Sequence, residues 1–183
     1  DITHIPRLAE VFSVSADVIL GLEPMDKNVE LRQFDNVDYW SDKRELVKQW
    51  KELYWNEDYF RFLVKDVWRF AKPVSILDFG CGYGFLGSKF LPLLPKGSSY
   101  TGIELDGAQI REAEALFADT GYKYEFVQQD IYDFEPCEKY DLVVALVLLS
   151  YVQKPEDLIE KMKSALRPGG MLLLMDFNME VER

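Results

Sequence analysis

From Val74 onward the chain alternates between two kinds of hydrophobic pattern. VSILDF, SYTGIEL, YEFVQQD, YDLVVALVLLS and MLLLMDF are short, dense apolar runs, which predicts five strands. The fourth run is apolar on both faces, as a central strand of a parallel sheet must be. Between the strands the spacing turns helical. A glycine loop opens a helix that runs through Phe90 and is ended by Pro92 and Pro95. Asp106 or Gly107 caps a helix that turns Ile110, Ala113 and Phe117 inward and stops at Gly121. Pro155 starts another, striped by Leu158, Ile159, Met162, Ala165 and Leu166. Arg167-Pro168-Gly169-Gly170 then turns the chain into the fifth strand. Strands and helices alternating in this way predict an α/β fold with an open, doubly wound, mostly parallel sheet.

Upstream the pattern differs. Residues 1–24 read as a helical pair that forms an N-terminal extension. Leu8, Val11 and Phe12 share one face, and Ser15 caps a helix from Ala16 to Leu20 that Gly21 closes. Residues 25–73 form an aromatic-rich helical cap or linker. Asp42 and Glu45 suggest a capping box there. Leu46, Trp50, Leu53 and Tyr54 make an apolar stripe, and a second helix carries Phe60, Leu63, Val64, Val67 and Phe70 up to Pro73. Residues 74–183 form the sheet domain.

Composition narrows the classes. The 183 residues carry a formal charge of -11. That balance opposes binding of nucleic acid or an anionic membrane by this chain. Cys81, Cys137 and one histidine are too few for a four-ligand Cys/His zinc site, and no metal site is expected. The two thiols read as reduced and cytoplasmic. The longest apolar run, Leu142 to Leu149, is too short to span a bilayer. The chain begins without Met, so a fragment or a processed product is expected.

The chemistry concentrates in DFGCGYGFLG, Asp78 to Gly87. From Gly80 it reads G-x-G-x-G, and from Gly82 it reads G-x-G-x-x-G. The first suits S-adenosylmethionine and the second a nicotinamide or flavin. A dinucleotide loop must seat a pyrophosphate, which a carboxylate at Asp78 repels, whereas Asp78 suits a cofactor bearing an ammonium. Glu104 closes the second strand, where an acid can accept ribose hydroxyls of either cofactor. Asp130, after the third strand, could take an adenine amino group with Ile131 on the ring, or simply hold a turn.

Together ILDFGCGYG, TGIELD, QQDIYDF, YDLVVALVLLSYV and LRPGGMLLL resemble the class I S-adenosylmethionine-dependent methyltransferases, in order and at spacing, over residues 74–178. The resemblance implies a Rossmann-like fold and S-adenosylmethionine as cofactor. It places Asp78, Gly80, Gly82 and Gly84 in the methionyl-side loop and Glu104 at the ribose, with Cys81 and Leu105 as further cofactor-binding residues. Asp130 and Ile131 then flank the adenine, and Ala145 and Leu146 lie beside the methyl group. Tyr39, Tyr151, Asp176 and Asn178 are candidate contacts to a small-molecule or protein acceptor. The aromatics before Val74 could favour a planar or cationic one.

Two departures matter. Many small-molecule members carry a histidine shortly after the fourth strand, where this chain has LLSYVQKPED. Transfer would then rest on alignment of an already activated methyl group. The chain also ends at FNMEVER, where the family adds a helix and two more strands, so an unfinished sheet edge is expected. The N-terminal LAEVFSVSADVILG resembles the last helices of Cro-like helix-turn-helix repressors. It implies DNA binding by a longer parent only, and leaves a non-catalytic, S-adenosylmethionine-sensing regulator as the alternative function.

Overall fold

Five strands of the computed structural model pair side by side, all parallel: β1 (Ser75–Phe79), β2 (Ser99–Glu104), β3 (Lys123–Gln128), β4 (Tyr140–Leu146) and β5 (Leu166–Met175). The structure describes residues 2–12, 15–22 and 44–176. The chain divides into two compact units, residues 1–33 and 34–183. In the first, α1 (Ile5–Phe12) precedes α2 (Ala16–Ile19), and the Ser15 hydroxyl accepts from the Val18 N–H as an N-cap. Leu8 and Val11 are exposed within it.

In the second unit the strand order is β3-β2-β1-β4-β5. Sequence order runs outward from β1 in one direction and from β4 in the other. The carboxyl ends of β1 and β4 therefore form a topological switch point, where open α/β sheets bind ligands. The two faces are buried by different helices. On one, Ile76, Tyr100, Leu142 and Val144 pack against Phe60, Phe85, Phe90 and Phe117, from α4 (Glu57–Phe62), α5 (Phe85–Phe90) and α6 (Gly107–Phe117). On the other, Leu77, Phe79, Ile103 and Val143 meet Leu158 and Met162 of α7 (Pro155–Ser164). No helix among the described residues is long and apolar enough to cross a membrane.

The structure corrects the expected pattern in four places. The stripe expected to pack α3 (Arg44–Tyr54) faces outward: Leu46 is 44%, Trp50 49%, Leu53 74% and Tyr54 59% exposed. The helix after it does bury Phe60, Leu63 and Val64, but a π-helical turn over Leu63–Trp68 shifts the spacing and leaves Val67 exposed. β4 ends at Leu146 rather than Ser150. Val147 takes φ 53° and donates its N–H to the Met175 carbonyl at 2.7 Å, which turns the chain into a short 3-10 segment, Leu149–Tyr151. Finally, the Arg167-Pro168-Gly169-Gly170 turn lies within β5. The register jumps from Tyr140 opposite Leu166 to Leu142 opposite Met171, so the turn is looped out as a bulge. The proposed Asp42 capping position lies outside the described residues.

Candidate functional site

The glycine loop leaves β1 at the switch point. Gly80, Gly82 and Gly84 all have positive φ. At Gly82 an added Cβ would lie 2.9 Å from Gln109 Oε1, at the tip of a flexible side chain, and 3.6 Å from Lys51 Nζ, so the positive φ is what favours glycine there. Glycine serves the left-handed backbone of the loop, and Gly82 and Gly84 are themselves buried. Gly87, the last glycine of the G-x-G-x-x-G reading, lies inside α5 against the Tyr100 ring. It serves helix–sheet packing, the role that the third glycine of a dinucleotide loop also has, so the choice between cofactors rests on Asp78 and not on Gly87.

Two carboxylates lie under this loop. Glu104, at the end of β2, accepts from the Gly82 N–H at 3.0 Å and from the Asp106 N–H at 2.9 Å, tying β2 to the loop. Asp78 is 1% exposed. Its Oδ2 accepts from the Tyr100 hydroxyl at 2.5 Å, while Oδ1 is buried without a partner among the described residues. Burial pushes the Asp78 carboxyl up to about 7, against the opposing pull of Tyr100 and Lys51, and Glu104 adds to the rise. Burial likewise pushes the neighbouring Cys81 thiol up, so this cysteine is an inert part of the core.

A third charge comes from outside the sheet domain as read from sequence. The face that α3 turns toward the loop is cationic. Arg44 pairs with Asp106 at 3.5 Å and Lys48 pairs with Glu112. Lys51 Nζ lies 5.5 Å from the Tyr83 ring centroid and 5.9 Å from that of Phe85. Lys51 as a residue is half-buried. Burial holds its pKa below the usual value, while Asp78, Cys81 and Glu104 pull it back up. Sequence reading missed this group. The signal was present as Arg44, Lys48 and Lys51 at helical spacing, opposite the apolar stripe.

The remaining expected residues scatter around the same strand ends. Leu105 is 44% exposed beside Glu104. Asp130 accepts from the Tyr132 N–H at 2.8 Å, so one of its oxygens holds a turn, and Ile131 packs against the second core cluster. Ala145 and Leu146 are buried at the end of β4. Just beyond them, Ser150 donates its N–H (3.1 Å) and its hydroxyl (2.8 Å) to Asp176, past the end of β5. Tyr151 is half-buried in the same segment. Tyr39 and Asn178 lie outside the described residues.

A parallel sheet in this order, with a left-handed glycine loop and an acid closing each of the first two strands, defines a Rossmann-like nucleotide-cofactor fold. Residues 77–172 match the methyltransferase domain family, and the chain belongs to it. Among curated proteins it is similar to the ubiquinone biosynthesis O-methyltransferase of Rickettsia felis, 25% identical over 154 residues that span 75% of this chain and 62% of that protein. It is also similar to the malonyl-[acyl-carrier protein] O-methyltransferase of Halalkalibacterium halodurans, 30% identical over 58% of this chain and 40% of that one. The chain thus spans less than two thirds of either relative. Among solved structures, the plantazolicin methyltransferase BpumL in complex with SAH superposes with a TM-score of 0.57 at 25% identity, over 75% of this chain and 54% of that one. An S-adenosylmethionine-dependent methyltransferase from Clostridium acetobutylicum gives 0.60 at 20% identity, over 74% and 56%, a likeness of fold.

Proposed function

We propose that this chain is the cofactor-binding part of an S-adenosylmethionine-dependent methyltransferase acting on a small-molecule or protein acceptor. The observation that carries the reading is Asp78. A buried carboxyl with one unpaired oxygen, beside a second acid and under the glycine loop, suits a ligand that brings positive charge. It does not suit a pyrophosphate. In this reading Asp78 takes the methionyl ammonium, Gly80, Cys81, Gly82 and Gly84 supply backbone, and Glu104 with Leu105 takes the ribose. Asp130 keeps one oxygen for the adenine, Ile131 supports the ring, and Ala145 and Leu146 floor the methyl side.

When bound, S-adenosylmethionine supplies a methyl group already activated on a sulfonium. The chain's own residues then have to orient an acceptor and exclude water. Asp176, fixed by two hydrogen bonds from Ser150, holds a carboxylate at the mouth of the site. With Tyr151, Tyr39 and Asn178 it forms the proposed acceptor side.

Saturable binding of S-adenosylmethionine or S-adenosylhomocysteine in a calorimetric titration tests the reading, and methyl transfer to any acceptor in a radiolabel panel extends it. No heat of binding at millimolar ligand would sink it. Because an ammonium pairs with the ionised Asp78, affinity is expected to fall below about pH 7, approaching tenfold per pH unit where that carboxyl is protonated. The domain limits 1–24, 25–73 and 74–183, a cytoplasmic setting and a helix-turn-helix remnant in residues 1–24 belong to the same proposal. The Ser15-capped α2 supports the last of these.

A further inference from the structure

We infer that Lys51 is the partner of the cofactor's methionyl carboxylate. The amino-acid end of the ligand carries two opposite charges, and the site meets them with two side chains of opposite sign: Asp78 for the ammonium and Lys51 for the carboxylate. The inference rests on the S-adenosylmethionine reading above and deepens it.

Three observations carry it. The first is place. Arg44, Lys48 and Lys51 share one face of α3. Arg44 pairs with Asp106, Lys48 with Glu112, and Glu52 on the same helix with Lys89 at 3.3 Å. With α3 set against the glycine loop in this way, Lys51 Nζ comes to Gly82, 3.6 Å from where a Cβ on that residue would stand. The second is that Lys51 lacks an anion. Its two neighbours on the face have carboxylate partners, whereas the Lys51 side chain makes no hydrogen bond or ion pair with a described residue and lies near the Tyr83 and Phe85 rings. Asp78 and Glu104 attract the ammonium, but burial outweighs that attraction, so the charged form lacks the partner that a bound carboxylate would supply. The third is a shortage of other donors. An anion beside a glycine loop ordinarily rests on backbone N–H groups. Here the Cys81 N–H is given to the Ile103 carbonyl at 2.9 Å, the Gly82 N–H to Glu104 at 3.0 Å and the Gly84 N–H to the Cys81 carbonyl at 3.1 Å. A carboxylate entering next to Asp78 and Glu104 without a cation would meet like charge.

The test crosses three proteins with two ligands and reads affinity by calorimetry. The proteins are the unmodified chain, Lys51→Met and Lys51→Arg. The ligands are S-adenosylhomocysteine and its decarboxylated form, which keeps the adenosine, the thioether and the ammonium. Lys51→Met is expected to bind S-adenosylhomocysteine about tenfold more weakly or worse. Lys51→Arg keeps the charge and should lose much less. The decarboxylated ligand should bind Lys51→Met as well as it binds the unmodified chain, or better, because there the ammonium of Lys51 only repels the ligand's own. That arm also shows that the variant is folded. Equal losses for both ligands would make Lys51 a structural residue and overturn the inference. Undiminished binding of S-adenosylhomocysteine by Lys51→Met would overturn it too. In both cases binding by the unmodified chain leaves the cofactor reading standing. If the unmodified chain binds neither ligand, the cofactor reading itself fails and takes the assignment of Lys51 with it.

Discussion

Asp78 is an acid that the fold keeps in a poor state for stability and a useful one for binding. Its carboxyl is raised from 3.8 to about 7 by burial. A raised carboxyl lends stability that is full below its unfolded value and is lost as pH climbs through its folded value. Asp78→Asn keeps an acceptor for the Tyr100 hydroxyl and removes the charge. The substitution is expected to stabilise the chain at pH 8, by up to about 4 kcal/mol, and to do so far less at pH 4. Urea midpoints at the two pH values check this. The same variant should bind S-adenosylhomocysteine at least tenfold more weakly. A variant that is stabilised and still binds well would remove Asp78 from the site. Asp78 itself was legible in sequence from its place before the glycines. Tyr100 was not, because its hydroxyl meets Asp78 only through register: Ile76 lies opposite Tyr100, and Asp78 is two residues further along the same face.

At the scale of elements, every strand and all three core-facing helices after Val74 could be read from periodicity and punctuation. Burial on both sheet faces leaves one workable register for each run. What could not be read depends on contacts distant in sequence. Val147 leaves β4 because its N–H meets Met175, and a β-branched residue held left-handed costs about 1–3 kcal/mol that only its surroundings can offset. α3 was inverted for a related reason. Its apolar stripe argued for burial, but its cationic stripe found Asp106 and Glu112 on the sheet domain. Packing between α5 and the sheet also makes a prediction. A Cβ at Gly87 would lie 2.7–2.8 Å from three atoms of the Tyr100 ring. That ring is pinned by stacking on Phe117, with centroids 5.8 Å apart, and by its bond to Asp78, so it cannot yield. Gly87→Ala is expected to cost about 1–3 kcal/mol, seen as a lower denaturant midpoint, and to weaken cofactor binding through the displaced Tyr100–Asp78 pair.

For the whole molecule, charge decides which partners this chain can take alone. The formal balance is -11. The cationic face that might have offset it locally, on α3, is turned inward: Arg44 and Lys48 are paired with carboxylates and Lys51 sits among Asp78, Cys81 and Glu104. Lys161 is likewise occupied, by the carbonyls of Tyr132 and Phe134 and by Glu135. Phosphate contacts need basic side chains free to release counterions from the duplex. With a formal balance of -11, DNA binding by this chain is not expected. Fluorescence anisotropy with a labelled duplex should show no saturable binding by the 183-residue chain at about 150 mM salt. Cofactor binding, measured in the same buffer, should be indifferent to added DNA. Salt-sensitive, saturable DNA binding by this chain would contradict the charge argument and return the regulator reading to first place.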